Sequence, residues 1–326
     1  MKSIKYITTA FLCTLLFSMN AQQKTNPKNQ DEELGKVAWY RDYDQAVLLS
    51  AKENKPVFIL FQEVPGCMTC RTYGHNVMSN PLLVEAIENE FIPLAIFNNK
   101  GGKDKQVLQK YNEPTWNNPV VRIVDNAGNN LTNRIAGDYS ALAVYNAITE
   151  VLQKEGKEIP KYLMLLGQEL KGNKYGATRE TYYSMYCFWT GEKQLGSNEG
   201  VLNTEAGFMN GREVVKVTYN TEIVSDKTLT SFAQQNKMSP IQKDNSYRAS
   251  SKDEDYYLQH SNYKYIPLTR LQRTKINSAL GNRKSAESYL SPSQKKWLDN
   301  INQIGKKVRF NKDFETNWNV LVSSLK

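Results

Sequence analysis

The apolar run Pro56-Val57-Phe58-Ile59-Leu60-Phe61 leads through the turn Glu63-Val64-Pro65-Gly66 into Cys67-Met68-Thr69-Cys70. A buried strand that stops at two cysteines one helical turn apart leaves few architectures open. It is read as a strand, a turn and a helix in succession, with both sulfurs at the helix start. There the free N–H groups and the helix dipole stabilise a thiolate on Cys67. Cys70, one turn later, can attack a mixed disulfide and release the substrate. Cys67 is therefore read as the attacking thiol and Cys70 as the resolving thiol. Two other readings of the pair stay open. It could be a static structural disulfide, or a soft-metal site in which Met68 and His75 join the sulfurs, a set suited to Cu(I).

Helices and strands alternate around this motif. Residues 42–55 have helical apolar spacing that ends at Asn54-Lys55-Pro56; 80–91 predict a helix, 92–97 a second buried strand and 101–111 a further helix. Asn126-Ala127-Gly128, between 118–125 and 129–137, signals a hairpin, and 139–157 form an amphipathic helix. This pattern predicts an α/β domain over 34–156. The charged stretch 154–160 ends in Pro160 and reads as a linker. Beyond it, 161–172 predict a helix, 178–189 a β-rich run containing Cys187, 201–211 and 212–224 paired strands, and 225–237 a helix. Helical patterns over 268–281 and 291–305 complete an α+β domain, 161–326.

The N-terminus sets the expected compartment. Lys2 and Lys5 precede an apolar run, Ala10 to Met19, well short of the ~20 residues that span a bilayer. Ala21 offers a small residue for cleavage, so 1–21 are expected to be a signal peptide and Gln22 the mature N-terminus. The chain is then periplasmic or secreted; an uncleaved anchor is the other reading. No later stretch suits a membrane helix, and no stable membrane association is expected. The formal charge of +9 falls to +7 without Lys2 and Lys5. Basic residues are scattered and no nucleic-acid motif accompanies them, so a nucleic-acid partner is not expected. Cys13 leaves with the leader. Cys67, Cys70 and Cys187 are too few for a disulfide scaffold, and a close pair plus one odd thiol points to redox chemistry.

Residues 55–70, with 118–128 downstream, resemble thioredoxin-like proteins over about 34–156. The resemblance implies that fold, with Pro119 as a cis-proline facing the cysteines and shaping a peptide-binding surface. Gly66 stands where that family usually has tryptophan. Further on, Cys187-Phe188-Trp189, residues 200–211, Glu213-Val214-Val215 and Ser246-Tyr247-Arg248 occur in an order that resembles peptide methionine sulfoxide reductase A, over about 178–280. This second resemblance implies Cys187 as the nucleophile on the sulfoxide sulfur and Phe188 and Trp189 as the pocket for the substrate methyl group. It also implies Glu213 as the proton donor and Tyr247 as a hydrogen-bond donor to the sulfoxide oxygen. The chemistry needs such a set, because a thiolate attacks sulfur while oxygen gains a proton. A carboxylic acid kept protonated by a semi-apolar site is the natural donor, and the product is a sulfenic acid on Cys187. Tyr186 and Thr190 replace the family's flanking glycines, Arg212 its usual alanine, and Asp244 approximates an acidic group before the tyrosine.

The second domain has no resolving cysteine, and the first carries a dithiol. The expectation is therefore an exported thiol oxidoreductase that reduces methionine-S-sulfoxide, free or in proteins, at Cys187. Cys67 and Cys70 would recycle it, fed by an upstream thiol reductant, with no metal or other cofactor. In one alternative the second domain is a non-catalytic module that binds Met-containing proteins beside a disulfide oxidoreductase. In another the chain handles copper through Cys67, Cys70 and Met68.

Overall fold

A computed structural model describes residues 24–116, 119–304 and 313–324. The expected leader, 1–21, lies outside the described residues.

Asn54, left-handed at φ 52°, ends α1 (Tyr43–Glu53) and turns the chain into β1 (Val57–Gln62). β1 is one of the two inner strands of a four-stranded sheet. It runs parallel to β2 (Ile92–Phe97) and antiparallel to β3 (Val120–Val124), with β4 (Ile135–Ala136) at the edge beyond β3. The remaining helices are α2 (Met68–Asn76), α3 (Pro81–Glu90), α4 (Gly102–Lys110) and α5 (Ala141–Lys154). Caps set their starts: Asn80 accepts from Leu83 N–H ahead of α3, and Ser140 from Ala143 N–H ahead of α5. Side chains alternate across the sheet at period two. Phe58, Leu60, Ala95, Val121 and Ile123 pack with α3 and α5, whereas Val57, Ile59, Phe61, Ile92 and Leu94 pack with α1 and α4. Helices on both faces explain why β1 is an unbroken apolar run. The hairpin signalled at 126–128 turns on Asp125, whose carboxylate accepts from Ala127 N–H (2.9 Å) and Asn129 N–H (2.8 Å).

α6 (Lys161–Tyr175) leads into β5 (Thr178–Met185), α7 (Phe188–Leu195), β6 (Val201–Met209), β7 (Arg212–Asn220), α8 (Asp226–Gln235) and β8 (Ser239–Ile241). The sheet order is β8-β5-β7-β6, with β9 (Arg248–Ala249) extending the β6 edge. α7 and α8 share one apolar cluster on a single face of the sheet. This is a split β-α-β-β-α-β arrangement, an α+β fold. Asn210 and Gly211 join β6 to β7 at φ 51° and 73°, the turn chemistry that matches the twist of a tight hairpin. The β run expected to reach 189 stops at Met185, and Phe188 already opens α7.

α9 (Tyr256–Gln259), α10 (Arg270–Gly281), α11 (Pro292–Ile304) and α12 (Phe314–Ser324) follow. α10 packs against α7 and β6 as well as α6, and apolar residues of all four helices join the core that includes the first sheet's helices. One continuous core runs from Phe58, Leu83 and Ile148 through Leu163 and Leu166 of α6 to Ile276, Trp297 and Leu321. Glu85 of α3 accepts from Ser293 N–H at the start of α11 (2.9 Å). Of the stretch 154–160 read as a linker, Lys154 still belongs to α5, and 155–160 join two helices packed against each other. No described helix is long and apolar enough to cross a membrane.

Candidate active site

β1 ends in Gln62, whose buried side-chain amide donates to the carbonyls of Glu33 (2.8 Å) and Cys70 (3.0 Å). That clamp ties α2 to the strand end. Gly66 makes the turn possible, because a Cβ there would lie 2.5 Å from the Glu63 carbonyl oxygen and 2.7 Å from Cys70 Cβ. Its N–H donates to the buried Glu33 carboxylate at 2.6 Å. Tryptophan at this position has no room, which accounts for the departure from the thioredoxin-like pattern. Gly74 has a similar role: a Cβ would meet the Glu32 carbonyl oxygen at 2.1 Å, because α2 lies directly on the Glu32–Leu34 turn.

Cys67 occupies the N-cap of α2 and is exposed; Cys70 is buried, with the sulfurs 3.9 Å apart. The N–H of Cys70, with that of Thr69, lowers the Cys67 thiol below its ordinary value. Burial, above all, pushes Cys70 up to about 11. The half-buried Glu63 carboxylate completes the cluster, with its oxygen and both sulfurs all within 4.8 Å of one another. Met68 is exposed, and so is His75, five residues beyond Cys70 and so roughly 7 Å along the helix axis. Pro119 is buried at the head of β3. Because Phe61 pairs with Val120, Pro119 stands at the same end of the sheet as the cysteine turn. The expected cis bond before Pro119 involves Asn118, outside the described residues; the Val64–Pro65 bond is cis.

The second site forms at the other strand-to-helix junction. Cys187 is half-buried at the N-cap of α7. The register pairs Met185 with Glu213, and Phe188 N–H donates to the Glu213 carboxylate at 2.7 Å. That bond holds a carboxylate at the first residue after Cys187. Phe188 packs edge-on against Phe208 (5.4 Å) and beside Trp189 (6.0 Å). Trp189 stacks on Tyr256 at 4.0 Å. Tyr257 is raised above its ordinary value by burial first and then by the nearby Cys187 charge. One turn along α7, the fully buried Glu192 accepts from Asp255 N–H at 3.1 Å. Burial, then the Asp255 charge, push Glu192 up to about 9.

Tyr247 does not join this pocket, which corrects the expectation for it. Its hydroxyl donates to Glu205 at 2.7 Å, and its ring packs edge-on against Tyr182 and over Gly207. Glu205, Gly207, Lys216 and Tyr182 occupy one face of the sheet, whereas Phe208 and Glu213 point to the other. The sheet itself separates Tyr247 from Glu213. Tyr256 and Tyr257 are the aromatics that sequence reasoning missed. They sit on a four-residue helix about seventy residues from Cys187, and nothing in their spacing relates them to it.

Residues 38–126 match the family described as thioredoxin-like. The first domain has a thioredoxin-like fold. A solved structure titled "DsbH Oxidoreductase" is 14% identical, with a TM-score of 0.32, over 38% of this chain and 90% of that chain. A search among curated proteins finds no match. The family match ends well before Cys187.

Proposed function

We propose that this chain is a thiol–disulfide oxidoreductase acting through Cys67 and Cys70. The observation that carries this reading is the contrast between the two thiols: one exposed at a helix N-terminus and lowered, the other buried and raised. The Cys67 thiolate attacks a substrate disulfide and expels one substrate thiolate. Cys70 then gives up its proton, attacks the Cys67 sulfur and expels the second substrate thiolate, leaving Cys67–Cys70 oxidised. An upstream thiol reductant restores the dithiol. In Cys70→Ser, substrates should accumulate as mixed disulfides on Cys67, whereas Cys67→Ser should trap none. The reverse pattern would invert the assignment.

A second reading is favoured by the Glu213 contact. In it Cys187 reduces methionine-S-sulfoxide, free or in proteins: the thiol takes the oxygen as a sulfenic acid, and the sulfoxide leaves as the thioether. Glu213, held at Phe188 N–H, passes a proton to the departing oxygen, and Phe188, Trp189, Phe208 and Tyr256 supply apolar walls. Cys67 would then attack the sulfenic sulfur, expelling its oxygen as water and forming a Cys67–Cys187 disulfide; Cys70 would attack Cys67, free Cys187 as the thiol and leave Cys67–Cys70 oxidised. Turnover of methionine-S-sulfoxide by the full chain with dithiothreitol, lost in Cys187→Ser, supports this reading. No turnover leaves the second region a non-catalytic binding module. Residues 1–21 serve as the export signal in this proposal, and a mature N-terminus at Gln22 by mass spectrometry tests it.

A further inference from the structure

The cysteine turn holds a third donor that dithiol exchange does not use. Glu63 is the residue at which β1 gives way to the turn, and its carboxylate stands within 4.8 Å of both sulfurs. The close approach at Gly66 keeps the turn compact. The two sulfurs are 3.9 Å apart. Two thiolates bound at about 2.3 Å to a tetrahedral zinc are separated by about 3.8 Å. The donor set also discriminates among metals. Cu(I) favours sulfur but gains little from a carboxylate, and Ca²⁺ and Mg²⁺ take oxygen but not thiolate. Zn²⁺ accepts both.

We propose that Glu63, Cys67 and Cys70 form a zinc site when the cysteine pair is reduced. The three ligands leave the fourth tetrahedral position open on the exposed side, beside Cys67. Zinc binding needs both thiolates and so releases their protons. The site stands on the geometry of the cluster; only its competition with disulfide exchange rests on the function proposed above. A disulfide RSSR reacting with the zinc-bound pair takes two electrons from the two thiolates. The products are the Cys67–Cys70 disulfide, two RS⁻ and free Zn²⁺, so substrate oxidation and zinc retention exclude each other.

The test is a titration of the reduced full chain with Zn²⁺ against a chromophoric chelator. One zinc per chain is expected, lost in Cys67→Ser and in Cys70→Ser and retained in Cys187→Ser. Glu63→Gln should weaken binding by about tenfold or more, and Glu63→Asp, which keeps the charge on a shorter arm, should fall between. Co²⁺ in place of Zn²⁺ should give sulfur-to-metal charge-transfer bands that disappear with either cysteine. No zinc uptake, uptake that survives Cys67→Ser, or equal affinity in Glu63→Gln would overturn the site. Mixed-disulfide trapping is measured without metal, so failure here leaves the dithiol reading standing and failure there leaves the zinc site standing.

Discussion

Cys67 and Cys70 have the same side chain and are separated by two residues, yet their environments push them in opposite directions. Helix N–H groups favour the thiolate of one, and burial disfavours that of the other. In the reduced protein, iodoacetamide at pH 7–8 should therefore label Cys67 well before Cys70, with Cys70 reacting only near its raised value or after unfolding. Equal labelling, read by peptide mapping, would contradict the assigned order of attack. Glu192 is a second group governed by burial. With a folded pKa of about 9, against about 4.3 for a free glutamate, it keeps a proton in the folded state that the unfolded chain has already lost. Its contribution to stability is fully present below the lower value and falls as pH rises towards the upper one. Glu192→Gln retains an acceptor for Asp255 N–H and has no proton to lose. Its stability relative to the parent should climb between pH 5 and 8, at up to about 1.4 kcal/mol per unit, as urea unfolding would report.

Both cysteine sites sit where a strand hands over to a helix, so element boundaries rather than single residues place the sulfurs. β1 delivers Cys67 to the start of α2, and β5 delivers Cys187 to the start of α7. The partners of Cys187 are then selected by strand parity. β7 carries Glu213 on the α7 side and Lys216 on the opposite side, where Tyr247 and Glu205 lie. The two faces make a paired prediction for methionine-S-sulfoxide turnover. Glu213→Gln should cut it by about 10² to 10⁴, the usual range for losing an acid–base group, while Tyr247→Phe should leave it within about twofold, since the hydroxyl it removes faces Glu205 across the sheet. A comparable loss in both variants would show that Tyr247 reaches the pocket after all.

At the scale of the molecule, the thioredoxin-like and α+β regions share a core built through α3, α5, α6, α10 and α11. Trp297 is buried in it and its indole N–H donates to the Tyr265 carbonyl at 2.8 Å. Such a core couples the two regions, and thermal unfolding should be a single cooperative transition in which both sheets melt together. Trp297→Ala, a large-to-small change costing about 3–5 kcal/mol, should lower the melting of both at once, even though it lies in neither sheet. Two separate transitions, with only one displaced, would mean the regions fold independently.

The sequence by itself determined what depends on near neighbours along the chain. Apolar periodicity marked the strands and helices, and the spacing of Cys67 and Cys70 set both sulfurs at one helix start. Phe188 and Trp189 adjoin Cys187 by covalent connection, and Glu213 lies on a strand whose tight Asn210-Gly211 turn fixes its register. Tertiary structure alone decided the rest. Tyr247 went to the far face because the chain after β8 crosses that face to reach the opposite edge, where β9 pairs with β6, and local spacing carries no record of which face a crossing segment takes. Tyr256 and Tyr257 reached Trp189 and Cys187 through packing that no pairwise pattern announces. The common core formed because α6 buries apolar residues against the first region and the C-terminal helices together, a demand that becomes visible only when both neighbours are present in space.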